Sequence, residues 1–158
     1  MAHKFKFRSF DEAVQKRYEP RLSIFAGLGR VEEYEGLMRR SDGFYTTALL
    51  QAERGMYDLA VFSLEQSLQL LLKAVLLRHG VDFPRTHGVR SLLNMLAQLT
   101  GRNEIKQLLI TYSMELGILE DAYIVSRYMP RTYTAEEFER LRGVVDRVRG
   151  VVGGVLAP

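Results

Sequence analysis

The stretch "DLAVFSLEQSLQLLLKAVLLRHG", residues 58–80, constrains this chain more than any other. It is apolar almost all the way round at helical spacing, so a helix built from it has no broad face to offer water and belongs in the middle of a bundle. Its polar exceptions, Gln66, Gln69 and Lys73, fall at i, i+3 and i+7 and form one narrow stripe. Polar groups taken out of water need partners. The stripe is therefore expected to face a cleft, a subunit seam or solvent at the bundle edge.

The remaining segments are helical too, which makes the fold class all-α. A helix from about Val31 to Arg54 presents Tyr34, Leu37, Met38, Phe44, Tyr45, Ala48 and Leu49 on one side, with Gly43 as a weak point. Gly55 and Gly80 read as stops for the first long helix and the apolar one. "VDFPRTHG" is a loop, because Pro84 disfavours helical backbone at Phe83. Helix resumes through "VRSLLNMLAQLT", and one more is expected from about Glu104 to Ser126, broken beyond by Pro130. Thr134 and Glu137 have capping-box spacing for a last helix that reaches about Val152. Ser9 and Glu12 have the same spacing, which predicts a short helix ending near Pro20. Residues 1–30 then form a basic helical extension, and residues 31–158 the bundle domain.

Composition removes whole classes of function. The 158 residues include no cysteine, which excludes disulfides, thiolate metal sites and cysteine nucleophiles and fits a cytoplasmic protein. His3, His79 and His87 lack metal-ligand spacing, so no metal site is expected. Neither a Walker-type nor a Rossmann-type glycine motif occurs, and no cofactor is implied. Lys73 and Arg78 interrupt the greasiest run, which argues against a membrane span.

The net charge of +3 is unevenly spread. Residues 1–30 carry seven Lys or Arg against three acids, and residues 127–158 carry six against four, around a slightly acidic middle. A basic face built from the two ends would attract RNA or phosphate. The junction "IVSRYMPRTYTAEEFERL", residues 124–141, adds Arg127, Tyr128, Arg131 and Tyr133, a set suited to gripping phosphate and stacking on bases. The competing reading makes Tyr128 a core residue and Arg127 a cap on the preceding carbonyls. His87, just before a helix, reads first as a loop-packing residue and second as a catalytic candidate.

Three stretches together resemble the HEPN family (higher eukaryotes and prokaryotes nucleotide-binding). They are "GMYDLAVFSLEQSLQLLLKAVLLRHG", "FPRTHGVRSLL" and "LEDAYIVSRYMP", and the likeness spans about Glu32 to Glu139. The resemblance implies an up-and-down bundle of four or five helices that pairs into a homodimer, with a cleft lined by Gln66, Gln69, Lys73, Arg127, Tyr128 and Arg131. It also implies nucleotide or RNA binding, and a minimal nucleotidyltransferase partner in a toxin–antitoxin-like system. Members that cut RNA do so without metal and place a His after the Arg with four to six residues between them.

Here Thr132, Tyr133 and Thr134 stand at those positions. Imidazole moves protons near neutral pH, whereas a phenol with a pKa near 10 is a poor base. A non-catalytic binding or docking module is therefore the first expectation. The second is an endoribonuclease that pairs Arg127 with Tyr133, exposed in the junction, or with His87. The resemblance further implies Glu at position 69; Gln69 takes an acid out of the cleft and leaves it more welcoming to phosphate.

Overall fold

A computed structural model describes residues 29–82, 86–128 and 131–156. Six helices and no strand occur among them: α1 (Arg30–Glu53), α2 (Tyr57–Arg78), α3 (Val89–Thr100), α4 (Asn103–Thr111), α5 (Ser113–Tyr128) and α6 (Ala135–Leu156). The helix expected at residues 9–20 lies outside the described residues.

Helices α1 and α2 form an antiparallel hairpin. Gln51 meets Ser63 near the turn, Ser41 meets Ser67 in the middle, and the Arg78 guanidinium lies 5.3 Å from the centre of the Tyr34 ring at the open end. As its all-round apolarity dictates, α2 is the core helix: it packs against α1, α3, α5 and α6, and Leu64, Leu68, Leu72 and Leu76 are fully buried. By length and composition α2 is apolar enough to cross a membrane, despite Lys73 and Arg78. However, 78% of its most apolar 18-residue stretch is buried inside the bundle, as in a core helix.

Local signals end the helices where the physics requires. Gly80 takes φ 85°, and the Val81 and Gly80 amides donate back to the Leu76 and Leu77 carbonyls, closing α2 with a glycine stop. At the start of α6 the Thr134 amide donates to the Glu137 carboxylate (2.8 Å), and the Glu137 amide donates to the Thr134 hydroxyl (3.1 Å). That is a reciprocal capping box.

Two expectations about helix extent need correction. The single helix expected over residues 104–126 is split at Tyr112, whose φ of −111° departs from helical geometry. The residues around the break, Ile110, Thr111, Tyr112 and Ser113, are β-branched, aromatic or hydroxylated and hold a helix weakly. The break also lets α4 pack against α6 as well as α3. The last helix runs through "GVVGGVL" to Leu156, past the expected Val152, because Val148 and Val152 are fully buried against the core.

Candidate functional site

The polar stripe of α2 is not a solvent edge. Gln69 is 5% exposed and Lys73 9%, and beside them lies a residue the stripe did not include, Glu65, with no exposed surface. Positions 65, 69 and 73 are successive i+4 steps, so they share one helix face. Glu65 Oε1 accepts from the Gln69 amide at 2.8 Å, and Oε2 accepts from the Gln66 amide at 2.7 Å. Burial pushes the Glu65 carboxyl up to about 7, although both glutamine hydrogen bonds and the charge of Lys73 favour its ionised form. The acid that Gln69 appeared to remove is thus present one turn earlier, in a stronger setting. The expectation of a cleft without an acid is corrected accordingly.

The loop before α3 closes over this face. The Gln69 amide also donates to the His87 carbonyl (3.1 Å), and Lys73 Nζ lies 2.9 Å from His87 Nδ1. An ammonium can only donate, so Nδ1 accepts and the imidazole carries its proton on Nε2. The His87 ring stacks on Tyr123 at 6.2 Å, and Tyr123 stacks on Phe62 at 6.4 Å, with interplanar angles of 17° and 14°. This packing ties α2, the loop and α5 together.

Beside it, Glu120 of α5 receives the Arg90 backbone amide (2.8 Å) and the Arg90 guanidinium (2.8 and 3.1 Å) at the first turn of α3. A side chain at Gly88 would meet Glu120 Oε1 at 3.2 Å, so glycine there lets the carboxylate approach.

The sequence candidates divide into two groups. Gln66, Gln69, Lys73 and His87 come together around Glu65. In the junction, Tyr128 is 79% exposed rather than core. Arg131 is exposed and lies over the Tyr133 ring at 4.7 Å. The Arg127 side chain lies outside the described atoms; its backbone position is one turn beyond Tyr123 on α5. Tyr133, expected in an exposed position, is instead 7% exposed and part of the core, with its hydroxyl buried and without a hydrogen-bond partner among the described residues. Burial raises its pKa, with the Arg131 charge opposing, which makes this phenol a still poorer base. The ring is buried because it directly precedes the α6 cap and fills the core beside that helix start.

A match between residues 34–155 and the HEPN domain model decides the family. This chain belongs to the HEPN family. No curated protein and no solved structure matched it. The HEPN match spans all six helices except the first turn of α1 and the last residue of α6. It supports a nucleotide- or RNA-binding or ribonuclease-type module. Among the described residues no cluster of three or more His, Asp or Glu has the geometry to hold a metal ion.

The residue sequence reasoning missed, Glu65, carried a signal: it is the lone acid inside the apolar run of α2, at i−4 from Gln69. An acid within a helix that must be buried is costly unless it is hydrogen-bonded.

Proposed function

We propose that this HEPN protein is a non-catalytic module that holds nucleotide or RNA phosphate. In this reading it acts in the cytoplasm as a homodimer, paired with a minimal nucleotidyltransferase in a toxin–antitoxin-like system. The observation that carries the non-catalytic part is the commitment of both substitute bases to the fold. The His87 Nδ1 accepts from Lys73, its carbonyl accepts from Gln69 and its ring stacks on Tyr123. Tyr133 is buried with its pKa raised. Neither is disposed to take a proton from a 2′-hydroxyl at neutral pH.

Lys73 brings positive charge to the buried cluster around Glu65. The exposed Arg131 and Tyr128 supply a guanidinium and a stacking ring at the junction, a combination suited to phosphate and bases. Arg127, from the matching "SRYMP" junction, completes the proposed set.

The test is a mixed RNA pool incubated with purified protein in EDTA, with Arg127→Ala and Tyr133→Phe in parallel, alongside binding of the same RNA. Binding without cleavage, weakened in Arg127→Ala and falling steeply with salt, is the expected result. Cleavage lost in Arg127→Ala would establish the endoribonuclease reading instead, and its loss in Tyr133→Phe would name the phenol as the base. Size measurement of the protein alone and with a co-expressed nucleotidyltransferase checks the dimer and the partner.

A further inference from the structure

A cavity of about 520 Å³ lies between α4 and α6, and none of its lining residues belongs to the Glu65 cluster. Its size falls in the range of small-molecule sites, roughly 300–1,000 Å³. Helix α4 contributes positions 104, 107, 108 and 111, and α6 contributes 147, 150, 151 and 154. Both sets run i, i+3, i+4 and i+7, so each helix gives the cavity one whole face. The floor is apolar: Leu108 is buried, and Tyr112 and Val151 pack against the core.

Glycine keeps the space open. Gly150 and Gly154 stand inside α6, where glycine holds a helix less well than any residue but proline. A Cβ at either would meet no atom within 4 Å, and neither has a positive φ. Packing within the chain does not require them.

The walls carry one charge of each sign. Glu104 and Arg147 both line the cavity, and neither forms an ion pair or a side-chain hydrogen bond with any described residue. A ligand with a single charge meets one of the two as a like charge. A ligand with both an ammonium and a carboxylate meets an opposite charge at each. Asn103 and Gln107 add amide groups to hydrogen-bond it.

We propose that this cavity binds a small zwitterion of the amino-acid class, a free amino acid or a dipeptide with an apolar side chain. The carboxylate pairs with Arg147, whose planar guanidinium matches it with two parallel hydrogen bonds. The ammonium pairs with Glu104, and the side chain lies on the apolar floor beside the bare backbone of Gly150 and Gly154. This site goes beyond the phosphate reading and does not depend on it.

The test is calorimetry of the full chain at two temperatures with L-phenylalanine, L-leucine and glycyl-L-phenylalanine. N-acetyl-L-phenylalanine and L-phenylalaninamide, which each lack one charge, are titrated in parallel. The zwitterions should bind, and the tighter of amino acid and dipeptide names the source. Each derivative should bind about tenfold more weakly than L-phenylalanine, the loss expected for one charged hydrogen bond. Arg147→Met should weaken L-phenylalanine about tenfold and leave the amide unchanged. Glu104→Gln should do the same and leave the N-acetyl derivative unchanged. Gly150→Leu fills the cavity with a better helix former, so it should abolish binding without lowering the melting temperature.

Absence of binding by every zwitterion up to about 10 mM overturns the proposal. Equal affinity for L-phenylalanine and its two derivatives overturns it as well, and so does binding that survives in Gly150→Leu. The comparison of derivatives on the wild-type chain decides the matter even if a variant does not fold. None of these outcomes touches the RNA measurement above, so the two readings fail separately.

Discussion

Helix α2 carries polar groups on two opposite faces, and the two faces are built on different terms. On the α1 side, Ser67 donates to the Ser41 carbonyl (2.8 Å) and Ser41 donates to the Ser67 carbonyl (2.6 Å), while Ser63 donates to Gln51. Arg149 of α6 closes this clasp: it reaches the Ser67 hydroxyl at 3.1 Å and the Asp42 carboxylate at 2.7 Å, and its guanidinium lies 4.7 Å from the centre of the Tyr45 ring. Here the buried groups are small and neutral, and the Arg149–Asp42 ion pair sits at the rim, with Asp42 63% exposed. On the α5 side, a whole carboxylate is buried and accepts from two glutamine amides. The first arrangement is what a structural helix contact needs. The second keeps a group near its titration point, an expensive arrangement for packing alone and a useful one for a binding site.

The largest test of this contrast is the pH dependence of stability. Glu65 has a folded-state pKa near 7 against 4.5 for the free group, so the native state binds the extra proton between those values. The contribution of Glu65 to stability is full below pH 4.5 and is lost as pH rises to 7, roughly 3 kcal/mol for a shift of this size. Urea melts of the wild type and Glu65→Gln should diverge over that window, with the variant the more stable at pH 8. Parallel curves would mean that the α5 side is as passive as the α1 side.

Ser67→Leu probes the other face. The Ser41 and Ser67 hydroxyls lie 3.4 Å apart, so a larger side chain must push α1 and α2 apart, at a cost of about 2 kcal/mol. The loss should be the same at pH 5 and pH 8. A smaller effect comes from Arg149→Met, about 1 kcal/mol, because the two serines still satisfy each other's carbonyls without it. Pronounced pH dependence in either variant would blur the distinction between the faces.

The smallest effect is expected at Tyr133→Phe. Removing a buried hydroxyl that has no partner among the described residues should leave stability unchanged or raise it by about 0.3 kcal/mol. A clear loss of stability would show that the hydroxyl is bonded in solution and would reopen its role in the site.

How much of this was legible from the chain depends on whether a feature is local. The stops at Gly55 and Gly80 and the Thr134–Glu137 box act within one turn of helix, and each is present as expected. The break at Tyr112 was harder to see, because weak helix formers permit a bend but only the packing of α4 on α6 selects it. The clustering of Gln66, Gln69 and Lys73 followed from helical spacing. Their joining to His87, and the burial of Tyr133, required knowing which surfaces close on each other.

By itself the sequence determined the fold class. A helix that is apolar all round cannot face water, and the amphipathic segments beside it must cover it, which leaves an all-α bundle with α2 at its centre. Tertiary structure alone decided the chemistry of the site. Whether Glu65 lies in water or in the core, and whether Tyr133 is a free phenol or a buried ring, depends on α5, α6 and the loop before α3 folding over them. A side chain's charge and pKa are set by what surrounds it in space, and along the chain those surroundings lie tens of residues away.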